Sequence, residues 1–495
     1  MQRAFLRLIS ALALTWVCSS PAPVVAQTPA EDHAANIGMI LHMHKMRAFH
    51  DVDTGTQSTP PVIGQNTTDE DPTGTISTFQ PGGNTHTAGN PFFQNLGTNG
   101  RTCFTCHQPA TGWGVSAQSV QDRFNASSGA DPIFRLVDGA TCPTDDVSSL
   151  DKKSQAYSLL LSKGLIRIGL PIPAGAEFKV SVISDPYNCS TNPATGLISP
   201  TNATSGIVSI YRRPLPSTNL GFLDPEDPTN VTGIMWDGRE PSLESQANDA
   251  TMGHAQANTP LSDVQQQEIV NFETGLFTAQ NFDNAAKNLH ADGATGGPVD
   301  LQGQLADFFP GINDPFSPTF NPNVFNLYQA WSNLPGKGGI NVDRESVARG
   351  ETVFNTTKIN ITGVGGLNDM TGFCGTCHDD PNVGNHSVKA PLNIGIADAS
   401  PPAVDVSGLP VFSLSCAGQK PVVVTDPGRA LISGKCADIG KFKGPILRGL
   451  AARAPYFHNG SAATLMDVVN FYDQRFKIGF TDQQKQDLVN FLNTL

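Results

Sequence analysis

A mainly α-helical fold of two repeated halves, with a small disulfide-tied β insertion in the first, is predicted for this 495-residue chain by three observations. Two short motifs share one spacing: RTCFTCHQ at 101–108 and FCGTCHD at 373–379 each carry CxxC followed directly by histidine. LSDVQQQEIVNFETGL at 261–276 aligns without gaps on FTDQQKQDLVNFLNTL at 480–495. Outside the two motifs, and past Cys18, four cysteines remain, two in each half. The length suffices for two or three cores, and 48 glycines with 37 prolines imply many loops between them.

The first element is a leader. Arg3 and Arg7 precede an apolar run from Leu8 to Val17, and Val24-Val25-Ala26 supplies the small residues of a cleavage site, so residues 1–26 read as a signal peptide and the mature chain as periplasmic. Cys18 follows a bulky valine and leaves with the leader. Removing these residues takes away two arginines and no acids, moving the formal charge from -13 to -15. Nucleic acid is excluded as a partner on that balance. A negative surface suits encounter with a small basic redox protein, and equally suits plain solubility. No later stretch has the roughly 18 uninterrupted apolar residues of a membrane span. Residues 27–84 form an N-terminal extension whose Met39, His42, Met43, His44, Met46 and His50 read either as a copper or haem ligand set or as an ordinary packed helix.

The first repeated half occupies 85–280, a connector 281–340, and the second half 341–495. Both segments of the ungapped pair read as amphipathic helices opened by Ser or Thr with Gln three residues later, a capping box. WDGREPSLESQA from Trp236 aligns on HNGSAATLMDVV from His458, glycine on glycine and Leu243 on Leu465. The first half is longer between its motif and this turn. EFKVSVISD alternates Phe178, Val180 and Val182 as a strand does, and GIVSIYRR is another strand. Exported chains keep disulfides, and proximity alone pairs Cys142 with Cys189 and Cys416 with Cys436, one of three connectivities.

CxxCH attaches haem through two thioethers, and its histidine binds the iron from one side. Zinc or a disulfide is the ordinary alternative for one such motif, but two of them in an exported chain favour two covalent c-type haems on cytochrome c-like domains. Cys103, Cys106, Cys374 and Cys377 are then the attachment points, and His107 and His378 the proximal ligands. The other side of each iron decides function. Leu465, Val468, Val469, Tyr472 and Phe476 share one helix face, so Tyr472 is either core or a ligand of the second iron. Its counterpart in the first half, counted from Leu243, is Ala250, which binds nothing, and no histidine lies between His107 and His254. The first iron is therefore expected to be open, and the second to be its electron partner.

MWDGREPSLESQA, RGETVF and FKGPILRGLAARAPYFHNGSAATLMDVVNFYDQRF, together with both CxxCH motifs, resemble the bacterial di-haem cytochrome c peroxidase and MauG family from about residue 90 onward. The resemblance implies two facing cytochrome c domains and an enzyme that reduces hydrogen peroxide at the N-terminal haem. The C-terminal haem would relay electrons from a small cytochrome c or copper protein. By position Trp236 matches the tryptophan between the haems, Gln246 a glutamine of the distal pocket, and Tyr472 the distal tyrosine of the MauG branch.

Two departures stand out. The distal glutamate falls on Gln256, and an amide cannot shuttle protons, leaving the acid–base role to slow chemistry or to His254. His254 reads alternatively as a cap on the first iron or as a loop residue. The family's calcium would draw on the carbonyls of Arg453 and Pro455, but its asparagine position holds Pro214, so calcium stays an open cofactor. Two other functions fit the same residues. One is a non-catalytic di-haem electron carrier, with His254 or Met252 closing the first iron; the other is a dioxygen-activating di-haem oxygenase of the kind that cleaves rubber.

Overall fold

The C-terminal segment folds as its pattern dictates. Thr481 accepts a hydrogen bond from the backbone N–H of Gln484, whose side chain reaches back to Thr481, and the helix Asp482–Asn493 follows with Leu488, Phe491 and Leu492 buried. It crosses the helix Ile340–Thr356 at Gly350, where a Cβ would stand 2.0 Å from the Asp487 carbonyl oxygen. That close approach is the reason for glycine in RGETVF. Asp487 seals the crossing by accepting from Ser346 Oγ at 2.5 Å and from Arg349 at 2.8 Å. Beneath it lies an aromatic core of Phe325, Tyr328, Trp331, Phe354 and Phe491, all buried. At roughly 1.5–3 kcal/mol per large side chain, this core is a principal source of stability.

The earlier pair of helices repeats the local chemistry. Ser242 caps Leu243–Gly253, and Ser262 with Gln265 forms the capping box of Asp263–Thr274. Phe272 on the latter packs against Phe92 at 4.8 Å and Trp113 at 5.5 Å between ring centres. A further capping box, Thr464 with Asp467, opens Leu465–Phe476.

This computed structural model describes residues 59–189, 206–223, 234–336, 338–367, 369–386 and 391–495, all within the compact unit Gly55–Leu495. The leader and the Met/His segment from 39 to 50 lie outside the described residues.

Strands are more widely used than one small insertion would require: the described residues are 31% helix and 17% strand. Asn66–Asp71 and Gly74–Phe79 pair antiparallel, and the second pairs in turn with Phe277–Asp283. No strand is expected from the sequence at 66–79: in 66–71 Thr, Asp and Glu alternate exposed and half-buried without an apolar face, and 74–79 is largely buried with only Ile76 and Phe79 as large apolar residues. The expected strands Phe178–Ser184 and Ile207–Arg212 are present. Phe178–Ser184, however, pairs with Val411–Cys416 of the second half, Val180 opposite Leu414. The insertion is thus stitched across the molecule, with Phe178, Val180, Phe412 and Leu414 in one apolar core. Cys142 is bonded to Cys189 and Cys416 to Cys436, the pairing expected from proximity.

Candidate functional site

Each CxxCH motif opens into its own cavity. In the first, Cys103–Thr105 form a single helical turn that presents both Cys103 and Cys106 as free thiols. Burial raises both thiols above their usual range. His107 Nδ1 donates to the Trp113 carbonyl at 2.8 Å, which leaves Nε2 as the bare lone pair. Burial holds the ring neutral, lowering its pKa to about 4. The surrounding cavity is about 1510 Å³ of space free of protein atoms, its open mouth included. The second site repeats this arrangement: free thiols at Cys374 and Cys377, pushed up by burial to about 12, and His378 Nδ1 donating to the Gly384 carbonyl at 2.9 Å. Its cavity is about 1670 Å³ on the same measure.

These residues fit a covalently attached haem. Paired thiols, a neutral imidazole with its lone pair free, and a large apolar cavity are what the group requires. A zinc site is not formed: among the described residues no group of three or more His, Cys, Asp or Glu is placed to hold a metal ion.

The two cavities differ at matched positions. Leu243, Gln246, Ala247, Ala250 and His254 line the first from one helix face and its C-cap. The corresponding face of Leu465–Phe476 lines the second with Leu465, Val468, Val469, Tyr472 and Phe476. Glu273 in the first cavity stands where Leu492 stands in the second. Gln246, His254 and Glu273 therefore replace Val468, Phe476 and Leu492, while Ala250 replaces Tyr472. The Tyr472 hydroxyl has no hydrogen-bond partner among the described residues, and burial raises its pKa well above the ordinary phenol value. A half-buried phenol without a protein partner, lining a cavity, is available to a ligand.

His254 is held by residues that no motif singles out. Its Nδ1 lies 2.5 Å from Asp138 Oδ2, and Asp138 Oδ1 lies 2.5 Å from Arg101 Nη1. Burial alone would raise the Asp138 pKa, but Arg101 and His254 outweigh it and keep the carboxyl below its usual range. An ionised Asp138 makes His254 Nδ1 the donor, so Nε2 is the unprotonated nitrogen of the neutral ring. Gly97 braces the same loop, because a Cβ there would meet the Ala255 carbonyl at 1.8 Å. Glu273 was also unforeseen: buried, with Oε2 unpartnered, it is pushed up to about 7 by desolvation. His386 and His458 line the second cavity, the former with Nδ1 3.0 Å from the Cys377 carbonyl oxygen and the latter stacked on Phe442 at 3.9 Å.

Gln256 requires a correction. It is exposed, it does not line the cavity, and its amide oxygen accepts from Asn99 at 3.3 Å. The helix ends at Gly253 and Gln256 has a φ of 55°, so the chain turns outward where a count from Trp236 assumes it continues inward. Met252 is likewise absent from the cavity wall.

Trp236 lines both cavities. Its Nε1 donates to the Arg213 carbonyl at 2.8 Å, and its own carbonyl accepts from Lys443 N–H at 2.8 Å. Asp237 anchors the turn from full burial, pairing with Arg212, which also holds Asp426 at 2.7 Å, and with Arg239. The WDGR sequence thus places an indole between the cavities and ties it down with buried charge.

Comparison with known proteins extends this picture. Residues 441–478 match the family described as RoxA-like, cytochrome c-like. Cytochrome-c peroxidase IdrP2 of Denitromonas iodatirespirans is 34% identical over 134 residues, 25% of this chain and 36% of that protein. Cytochrome-c peroxidase IdrP1 of the same organism is 42% identical over 69 residues, 12% of this chain and 18% of that protein. The chain thus spans about a third or less of the curated relatives it matches. A solved MauG-like protein associated with microbial copper homeostasis covers 58% of this chain and 76% of its own at 18% identity, but its TM-score of 0.30 carries no argument. These local matches and the motifs within them make the chain similar, over those segments, to bacterial cytochrome-c peroxidases and to a RoxA-like cytochrome c-like domain.

Proposed function

We propose that the protein is an exported oxidoreductase with two c-type haems on two cytochrome c-like domains. It reduces hydrogen peroxide in the first cavity with electrons relayed from the second. The observation that carries this reading is the position-by-position exchange of Gln246, His254 and Glu273 for Val468, Phe476 and Leu492. Proton-handling groups are concentrated where peroxide would react.

Bound haem would supply one-electron redox chemistry in each cavity and peroxide binding in the first. The chain's own residues supply the rest. Cys103, Cys106, Cys374 and Cys377 tether, and His107 and His378 offer Nε2. His254 Nε2 accepts the proton from the inner oxygen of peroxide and returns it to the outer one, which then leaves as water; Asp138 holds the ring in the required tautomer. The Gln246 amide hydrogen-bonds the entering peroxide. Trp236, touching both cavities, carries the electron between them. Two electrons and two protons per peroxide give two waters, the electrons coming from a small cytochrome or copper protein.

A non-catalytic electron carrier is the second reading, favoured by the free Nε2 of His254, which faces the same cavity and is able to close the iron. Electron paramagnetic resonance of the diferric protein, before and after one equivalent of peroxide, separates the two. A high-spin signal beside a low-spin one, with the former consumed by peroxide, is expected. Two low-spin signals indifferent to peroxide, before and after partial reduction, would sink the peroxidase reading.

A further inference from the structure

Between the two cavities lie three buried cations with no acid beside them. Arg213 and Lys443 line both cavities and Arg453 lines the second, and each is less than a tenth exposed. None forms an ion pair among the described residues. Arg213 donates from Nη2 to the Val115 carbonyl, yet its Nε has no partner; the Nε of Arg453 has none either. Burial lowers Lys443 to about 8 and Arg213 to about 9, with the Arg453 charge adding to the second shift. Buried positive charge of this kind is costly unless an anion meets it. Asp237 and Asp426 do not serve, since Arg212 holds both.

The anionic groups on the periphery of a haem are its two propionate carboxylates. The same region is where the family resemblance would put calcium, using the Arg453 carbonyl. Here the Arg453 guanidinium occupies the neighbourhood, with Nη2 donating to the carbonyls of Ile446 at 2.7 Å and Arg448 at 3.1 Å. A divalent cation beside three buried positive charges would be repelled. The residues do not fit calcium.

We infer that Arg213, Lys443 and Arg453 form a fixed cationic seat for haem carboxylates at the junction of the cavities, and that this seat replaces a divalent cation. The inference rests on the reading that both CxxCH motifs carry haem. The test therefore begins with the haem count of the purified full chain by the pyridine haemochrome spectrum; absence of haem would overturn that reading as well. On protein shown to hold haem, calcium is counted by plasma mass spectrometry after passage over chelating resin, and the resonance spectra are recorded with EDTA and with added calcium chloride. Calcium well below one per chain and spectra unchanged by either addition are expected. One retained calcium per chain, or a haem signal altered by EDTA, would overturn the proposal. Spectroelectrochemistry supplies the second readout: Arg213→Gln and Arg453→Gln should each lower a haem midpoint potential, because a positive charge near the iron is lost, and Arg→Lys at the same positions should restore it. Potentials indifferent to all four substitutions would also refute the seat.

Discussion

His254→Phe is the substitution that bears most directly on the chemistry, because it installs in the first cavity the residue found at the matched position of the second, Phe476. A phenyl ring fills the imidazole's place but cannot move a proton. Positioned acid–base catalysis contributes about 10²- to 10⁴-fold, so the peroxide reaction should slow by that factor, about 3–5.5 kcal/mol on the barrier. The structure also divides the effect. The 2.5 Å contact from His254 Nδ1 to Asp138 is charge-assisted, and losing such a bond costs about 1.5–3 kcal/mol, so Asp138→Asn should slow the reaction about 10- to 150-fold through the wrong tautomer. That second variant should also melt earlier, since Arg101 would be left buried beside a neutral amide, although its bonds to the Pro132 and Ile133 carbonyls at 2.8 and 2.6 Å survive. The assay is stopped-flow mixing with peroxide at a temperature where all variants are folded, judged by their haem spectra. A His254→Phe protein reacting within about threefold of the wild-type rate would refute the acid–base assignment.

Tyr472→Phe removes the unpartnered phenol from the second cavity and should raise the potential of that haem on the order of 100 mV, within the ~0.8 V range that axial ligands command, as followed by spectroelectrochemistry. Ala250→Tyr makes the reverse exchange and should convert the high-spin resonance of the first haem to low spin while abolishing peroxide reactivity; a surviving high-spin signal would contradict the matching of the two helices. Glu273 is pushed up from 4.5 to about 7 by burial, so the folded protein keeps a proton there that the unfolded chain releases, and stability falls by about 3 kcal/mol as pH rises from about 4.5 through about 7. Glu273→Gln should therefore melt progressively higher than wild type as pH climbs through that window, and a pH-independent difference would count against it. Gly350→Ala forces a methyl group onto the Asp487 carbonyl and should cost about 1–3 kcal/mol in denaturant unfolding.

What the sequence disclosed was set by range. Caps, thioether motifs and the Tyr472 face are short-range patterns, and the two helices of the ungapped pair begin at the Ser262 and Thr481 that the pattern names. The disulfides followed from proximity for the same reason. The pairing of Phe178–Ser184 with Val411–Cys416 was not legible, because alternation announces a strand without saying what lies beside it. Asp138 carries no motif and becomes meaningful only when folding delivers His254 to it. Gln256 failed for a geometric reason: the family match was carried over as a count of residues from Trp236, and past the helix end at Gly253 the chain turns outward. Glu273 is different, since the ungapped alignment already set it against Leu492, and an acid matched to an apolar core position was a signal open to reading.

The contrast between the cavities follows from side chains and not from backbone. One helix face, repeated at the same five positions, presents a phenol and apolar groups in one cavity and an amide, a methyl and an imidazole in the other. Water and protons favour the second kind of wall, and an anionic oxygen ligand in a dry pocket favours the first. Trp236 contacts both walls, so electrons have a path between the cavities, whereas the imidazole held by Asp138 serves only one of them. If that separation is what makes the protein an enzyme, exchanging single residues at 250 and 254 should turn the first cavity into a second carrier site without disturbing the fold. The Ala250→Tyr protein should then still pass electrons from haem to haem while leaving peroxide untouched, and the His254→Phe protein while reacting with it about 10²- to 10⁴-fold more slowly, outcomes that loss of the fold could not mimic.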